Sequence, residues 1–340
     1  MKFKRALAFL VASTTALSLA ACGNSNGSAD GDASAEGDQI EIAYIVKAKS
    51  DAFWTSMEDG AYAYAEEKGI HLEFQAPEKE TDVEKQVQMV ENAVVKGFDA
   101  IILSAADSNS LAPAIKKAND AGIPVILVND TMSQAALDEA GAHVETYVGI
   151  DQYEAASLAG KYAAENISDG KILYLEGIAG VDALTQRLEG FRDQCGSFTV
   201  VASQTAKCDR NEAFNVMQNV LSSNPEVNVV WAVNAEMGQG AIQAIEQGGF
   251  SGKMQVFDFD AAPDDIEAIK AGTLAGSVAQ YPNLQAEAAI QACLDVLEGK
   301  TLEDHIKTPA ALVTADNVAA YEAGEDITSD TAADSADAAA

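Results

Sequence analysis

Polar residues stand just past several short, almost uninterrupted apolar runs. Ser104 follows Ala100-Ile-Ile-Leu, Asn129 and Asp130 follow Val125-Ile-Leu-Val, Asn234 follows Val229-Val-Trp-Ala-Val, and Asp260 ends Val256-Phe-Asp-Phe. Runs of this length and composition read as strands covered on both faces. In an open α/β sheet, ligands lie outside the carboxyl ends of such strands. Carboxylates and amides gathered there supply acceptors and amide donors for a small polar molecule. Each of these residues is equally a loop starter or helix N-cap, but their recurrence in both halves of the chain favours a shared cleft. A second chemistry is open to the carboxylates: Asp51, Asp130 and Asp260 could furnish an acid/base pair for glycoside cleavage.

Other catalytic chemistry finds little support. The three histidines, His71, His143 and His305, lie away from the strand ends, and no nucleophile elbow, phosphate-binding glycine loop or metal-ligand spacing occurs. No cofactor or metal is expected.

The elements that must position these residues alternate regularly. Strands are predicted at 40–46, 71–75, 100–104, 124–128, 146–149, 171–176, 198–203, 227–232, 255–259 and 274–279. Helices are predicted at 53–68, 82–96, 111–121, 152–167, 183–194, 211–222, 238–247 and 283–297; Val83, Val87, Val90 and Val94 show the helical spacing. Repeated βα units imply parallel sheets with right-handed crossovers. The unit strand, helix, glycine turn, strand occurs around Gly122-Ile-Pro and again around Gly248-Gly-Phe. The expected fold is therefore α/β, with two doubly wound parallel-sheet lobes facing each other by their strand ends.

The first forty residues follow a different logic. Lys2, Lys4 and Arg5 precede an uncharged apolar run, Ala6 to Leu19, and then Leu19-Ala-Ala-Cys22. This order resembles a bacterial lipoprotein signal, cleaved before Cys22, whose thiol then carries lipid. Residues 23–38 contain only Gly, Asn, Ser, Ala, Asp and Glu and read as a tether. The net charge is −32; removing residues 1–21 takes away three positive charges and no negative ones, leaving about −35. Such a field opposes nucleic-acid partners. Apart from Cys22, three cysteines remain. A Cys195–Cys208 bridge is not expected, because the strand between them separates its ends by roughly 20 Å, well beyond the ~7 Å that a disulfide allows.

Several stretches together resemble the ribose-binding branch of the periplasmic sugar-binding proteins, over nearly all of residues 40–315. They include Asp51-Ala-Phe-Trp54 with Met57-Glu-Asp-Gly60, Ala105-Ala-Asp-Ser108, Gly177-Ile-Ala-Gly180 with Arg187 and Glu189-Gly-Phe191, Asn215-Val-Met-Gln-Asn219, Asn234-Ala-Glu-Met237, and Ala279-Gln280. The resemblance implies the type I periplasmic binding protein fold, with a three-segment hinge near Ile150, Gln280 and Pro309. Residues 39–150 and 281–309 would form the N-terminal lobe, 151–280 and 310–325 the C-terminal lobe, and 326–340 a disordered tail. It also implies capture of a monosaccharide and delivery to the permease and ATPase subunits of an ABC importer by an extracytoplasmic, lipid-anchored monomer, with a Gram-positive envelope favoured. Phe53 and Trp54 match two aromatics that sandwich a sugar ring. Arg187 matches an arginine donating to sugar oxygens. Asn234, Asp260 and Gln280 match hydroxyl-binding positions, with Asp51 and Ser104 as replacements at two others. Asn129-Asp130 stands where ribose binders have Asp-Arg, and Lys47 stands where they have Ser. Cys208 replaces a third aromatic. These departures leave pentose, ketose, hexose or polyol open as ligand. Lys47 also resembles a neighbouring branch that binds rhamnose or a furanosyl quorum signal, which makes a sensing protein the alternative. A sugar-responsive repressor shares the lobe fold, but residues 1–39 offer no basic helix-turn-helix.

Overall fold

The computed structural model describes residues 39–49 and 51–328. The lipidation motif at Cys22 and the tether lie outside the described residues. The described chain alternates strand and helix through β1 (Glu41–Ile45), α1 (Ala52–Lys68), β2 (His71–Gln75), α2 (Val83–Lys96), β3 (Ala100–Leu103), α3 (Ala112–Asp120), β4 (Val125–Val128), α4 (Gln134–Ala140) and β5 (Thr146–Gly149). It continues through α5 (Gln152–Asn166), β6 (Lys171–Glu176), α6 (Asp182–Gln194), β7 (Thr199–Thr205), α7 (Arg210–Ser223), β8 (Val229–Ala232), α8 (Ala235–Gln247), β9 (Gln255–Asp260), α9 (Pro263–Ala271) and β10 (Gly276–Ala279). Then come α10 (Pro282–Leu297), β11 (His305–Lys307), β12 (Ala311–Thr314) and α11 (Val318–Glu322).

Two six-stranded sheets result. The first runs β11-β5-β4-β3-β1-β2 and the second β12-β10-β9-β8-β6-β7. All pairings are parallel except β10 with β12. In each sheet the order reverses next to the first strand, at β1/β3 and at β6/β8, and the crevice at such a reversal is where ligands bind. The chain passes between sheets three times: after β5, between β10 and α10, and between β11 and β12. Helix α10 packs back on α1 and the first sheet.

Alternation along the strands builds the cores. Ile42, Tyr44, Ile102, Ile126 and Val148 face α1 and α10, while Ala43, Ile45, Ile101, Leu103 and Leu127 fill the other side of the first sheet. The second sheet is buried around Phe191, Trp231, Phe257 and Phe259, with Phe191 stacked on Trp231 at 4.3 Å.

Five elements escaped the sequence reading: α4, α9, α11, β11 and β12. The fold also continues past residue 325, since Ile327 is 1 % exposed in the second core; an apolar side chain beyond the end of α11 closes that core, so the expected tail boundary at 326 is corrected. Cys195, Cys208 and Cys293 are free thiols.

Candidate functional site

The carboxyl ends of the two sheets enclose one small polar space. Lys47, Asp51, Phe53, Trp54, Glu80, Asn129, Leu184, Arg187, Cys208, Asn234, Asp260 and Gln280 line it.

Local structure explains how each side chain gets there. Asp51 caps α1, its Oδ1 accepting from the Phe53 amide at 2.8 Å. That fixes the first turn, which carries Phe53 and Trp54 into the space with their rings edge to face at 4.8 Å. Asn234 caps α8 in the same way, accepting from the Met237 amide at 3.1 Å. Both are therefore caps and lining residues at once.

Backbone strain marks the same place. Among the described residues, the non-glycine positions with φ between +48° and +103° are Asn129, Lys207, Cys208, Asp260, Ala261 and Tyr281, and all six follow or end strands at the facing sheet edges. Residues in such conformations are held there by their surroundings and cluster at functional sites.

Arg187, 4 % exposed, is the hub of the second lobe's wall. Its Nε donates to Gln152 Oε1 at 2.8 Å, Nη1 to Val233 O at 3.1 Å and Asp260 Oδ1 at 3.5 Å, and Nη2 to Gln280 Oε1 at 3.2 Å. Its guanidinium lies 4.1 Å over the Phe259 ring. Gln280, at a crossing between the sheets, also accepts from Asn129 Nδ2 at 2.7 Å and donates to Asp260 Oδ1. Asp260 Oδ2 accepts from the Ala235 amide at 3.2 Å.

The first lobe's wall is charged differently. Lys47 Nζ donates to Asp130 Oδ1 at 3.1 Å and lies 3.5 Å from Glu80 Oε2. Burial works against its ammonium, but the two carboxylates more than offset this and raise its pKa. Burial, followed by the charges of Asp260 and Glu80, pushes the Asp51 carboxyl well above the usual carboxylate range. Burial raises Asp260 as well, with Arg187 opposing. Burial and then Glu80 keep the Cys208 thiol protonated.

Nine of the eleven side chains singled out from sequence line this space. Ser104 and Asp130 do not. Ser104 Oγ donates to Asp130 Oδ2 at 2.6 Å, and Asp130 holds Lys47, so both stand behind the wall and orient the lysine. Glu80 and Leu184 were missed, and Cys208 was noted only as a lost aromatic. Glu80 sits in the loop between β2 and α2, where no periodicity singles it out. Among the described residues no group of acidic, His or Cys side chains could hold a metal, and no helix is long and apolar enough to cross a membrane.

The lobes also touch across the mouth of the cleft. The Ser108 amide donates to Gly180 O at 2.9 Å, Ser108 Oγ accepts from the Asp182 amide at 3.0 Å, and Lys79 lies 3.6 Å from Asp209.

Comparison with known proteins places this architecture. Residues 42–301 match the periplasmic binding protein domain. The ribose import binding protein RbsB of Escherichia coli is 34 % identical over 265 residues, covering 77 % of this chain and 86 % of that protein. The fructose import binding protein FruE of Bifidobacterium longum is 29 % identical over 311 residues, 90 % of this chain and 92 % of that protein. The crystal structure of an ABC transporter solute-binding protein from Actinobacillus succinogenes with bound D-allose superposes with a TM-score of 0.79 at 34 % identity, covering 83 % of this chain and all of the other. The two lobes, their strand order and these matches agree: the chain belongs to the periplasmic binding proteins, in the branch of the ribose import binding proteins.

Proposed function

We propose that this protein captures a neutral monosaccharide or related polyol between its lobes and presents it to an ABC importer. The observation that carries the reading is the convergence of acceptors, amides, one guanidinium and two aromatic rings from both lobes on one small polar space. Aromatic faces suit the C–H face of a sugar ring, and the fork of Arg187 suits ring and hydroxyl oxygens. The relatives are import binding proteins for ribose and fructose, and the solved neighbour holds D-allose. Asp51 and Asp260 belong to hydrogen-bonded binding walls in this reading, so no glycoside is cleaved. Cys22 carries the lipid that anchors the protein outside the cytoplasm, and the binding unit is a monomer. Mass spectrometry of the full chain recovered from bacterial membranes reads the anchor directly, and an unmodified Cys22 removes it.

The test uses residues 38–340, unfolded and refolded to strip bound ligand. A thermal shift panel would include D-ribose, D-allose, D-fructose, D-xylose, myo-inositol and the furanosyl quorum signal. A ligand bound only by the native state raises Tm as its concentration exceeds Kd. A large shift with one or two sugars is expected. A response to the quorum signal alone would establish the sensing alternative, and a flat panel would discard the ligand class.

A further inference from the structure

Glu80 carries an unmet hydrogen bond at the heart of this space. Its Oε1 accepts from the Trp54 indole N–H at 3.1 Å. Its Oε2 is buried and accepts nothing, although its side chain is only 11 % exposed. Lys47 Nζ lies 3.5 Å away and supplies charge, but its hydrogen bond goes to Asp130. A buried carboxylate oxygen without a donor costs more than a satisfied one gains. The enclosed space that Glu80 lines is where a donor can arrive.

The surrounding charges narrow what that donor is. Asp51, Glu80 and Asp260 line the space, with Asp130 directly behind, against Lys47 and Arg187 as the cations. Both cations are already engaged by carboxylates. A carboxylated or phosphorylated sugar would meet acidic side chains and no free cation, whereas a hydroxyl brings the proton that Oε2 lacks. We infer that Glu80 is a specificity-determining residue, that its Oε2 accepts a ligand hydroxyl, and that this wall selects neutral polyols over sugar acids. Trp54 is the positioning residue that holds the carboxylate by its other oxygen. The inference rests on the proposed sugar-binding reading and deepens it.

Calorimetric titration of wild type and Glu80→Gln against D-ribose, D-allose, D-fructose, myo-inositol, D-galacturonate and D-gluconate tests it. The wild type should bind a neutral member and neither acid. Glu80→Gln should weaken that binding about tenfold to hundredfold, the range for a hydrogen bond to a charged group. Monodeoxy analogues of the tightest-binding sugar then locate the contact. Removal of one hydroxyl should cost the wild type dearly and the variant little, a non-additivity that a merely structural role does not produce. If Glu80→Gln fails to fold, Glu80→Asp is put through the same series. Equal deoxy losses in variant and wild type, unchanged affinity in the variant, or tight binding of either acid would overturn the inference while leaving the sugar reading intact. A wild type that binds no member of the panel would remove both.

Discussion

At the scale of single residues, Arg187 shows why the site needs a particular side chain rather than a charge. It donates in three directions at once, to Gln152, Val233 O and Gln280, while lying flat on Phe259. A lysine keeps the positive charge beside Asp260 but lacks the planar fork and the stacking face. Arg187→Lys should therefore lower sugar affinity at least tenfold and also lower the Tm of the ligand-free protein by a few degrees, because buried acceptors lose their donors. Calorimetric titration and scanning calorimetry check the two halves; wild-type affinity in the variant would show that charge alone suffices. Much of this scale was legible in the sequence. Asn129, Asn234 and Asp260 were marked by the apolar strands before them, whereas Phe53, Trp54 and Arg187 sit on helices and were found through resemblance. Ser104 and Asp130 also follow strands, yet turn toward each other and Lys47. Their sequence signal is the same as that of a lining residue, since position past a strand does not say which neighbour a side chain will choose.

At the scale of elements, β9 carries a second acid beneath the site. Asp258, two residues before Asp260, is fully buried, and its carboxyl faces Ser277 of β10 and Asp265 of α9. It lies against Gly238 of α8, where a Cβ would come within 2.1 Å of Asp258 Oδ2, so glycine is required to make room. Asp265 of α9 is also fully buried, accepting from Gln239 of α8 and the Ala262 amide, each at 2.8 Å. Ser277 Oγ of β10 accepts from the Ala261 amide at 2.9 Å, and Asp260 completes the ring of groups facing the pair. Burial, then the charge of Asp265, pushes Asp258 well above the usual range, and burial raises Asp265 to about 7. A folded-state pKa above the unfolded value gives stability that is complete below the unfolded pKa, near 4, and is lost as pH rises through the folded one. Tm should thus fall by several degrees between pH 5.5 and 8. The groups held low, Asp107, Asp295 and Asp326, titrate below that window. Asp258→Asn should raise Tm at pH 8 and flatten the profile; a profile unchanged in slope would remove the pair as its source. The sequence displayed Asp258 as one letter in a strand, with no sign that its partner lay across a turn on α9. Helix α9 itself was readable in principle, from Pro263 at its start, Asp264 and Asp265 in its first turn, and Gly272 at φ +72° past its end. Strands β11 and β12, of three and four residues, are too short for periodicity to reveal; β11 takes its place by pairing with β5, far back in the chain, and β12 by pairing with β10 across the intervening α10.

At the scale of the whole molecule, binding is a balance between lobes apart and lobes together. A ligand favours closure only by contacting the closed arrangement better, and contacts made directly between lobes shift the same balance without touching ligand. Ser108 is such a contact. It lies in the loop after β3 and meets the start of α6 through its own amide and its Oγ. Gly180 is forced into this approach with φ +89°, and a Cβ there would come within 2.7 Å of Asp107 Oδ2. Ser108→Ala keeps the amide contact to Gly180 O and deletes only the acceptor for the Asp182 amide. One neutral hydrogen bond is worth about 1 kcal/mol, so sugar affinity should fall about fivefold. The loss should appear as faster dissociation, because the contact forms after the ligand has entered. Tm without ligand should hardly change, since each lobe keeps its own core. Stopped-flow dissociation and ligand-free calorimetry separate these outcomes. A variant that releases ligand at the wild-type rate would show that Ser108 closes no gate. One with a lowered ligand-free Tm would place its role inside the first lobe, where its carbonyl already accepts from the Ser133 amide at 2.7 Å.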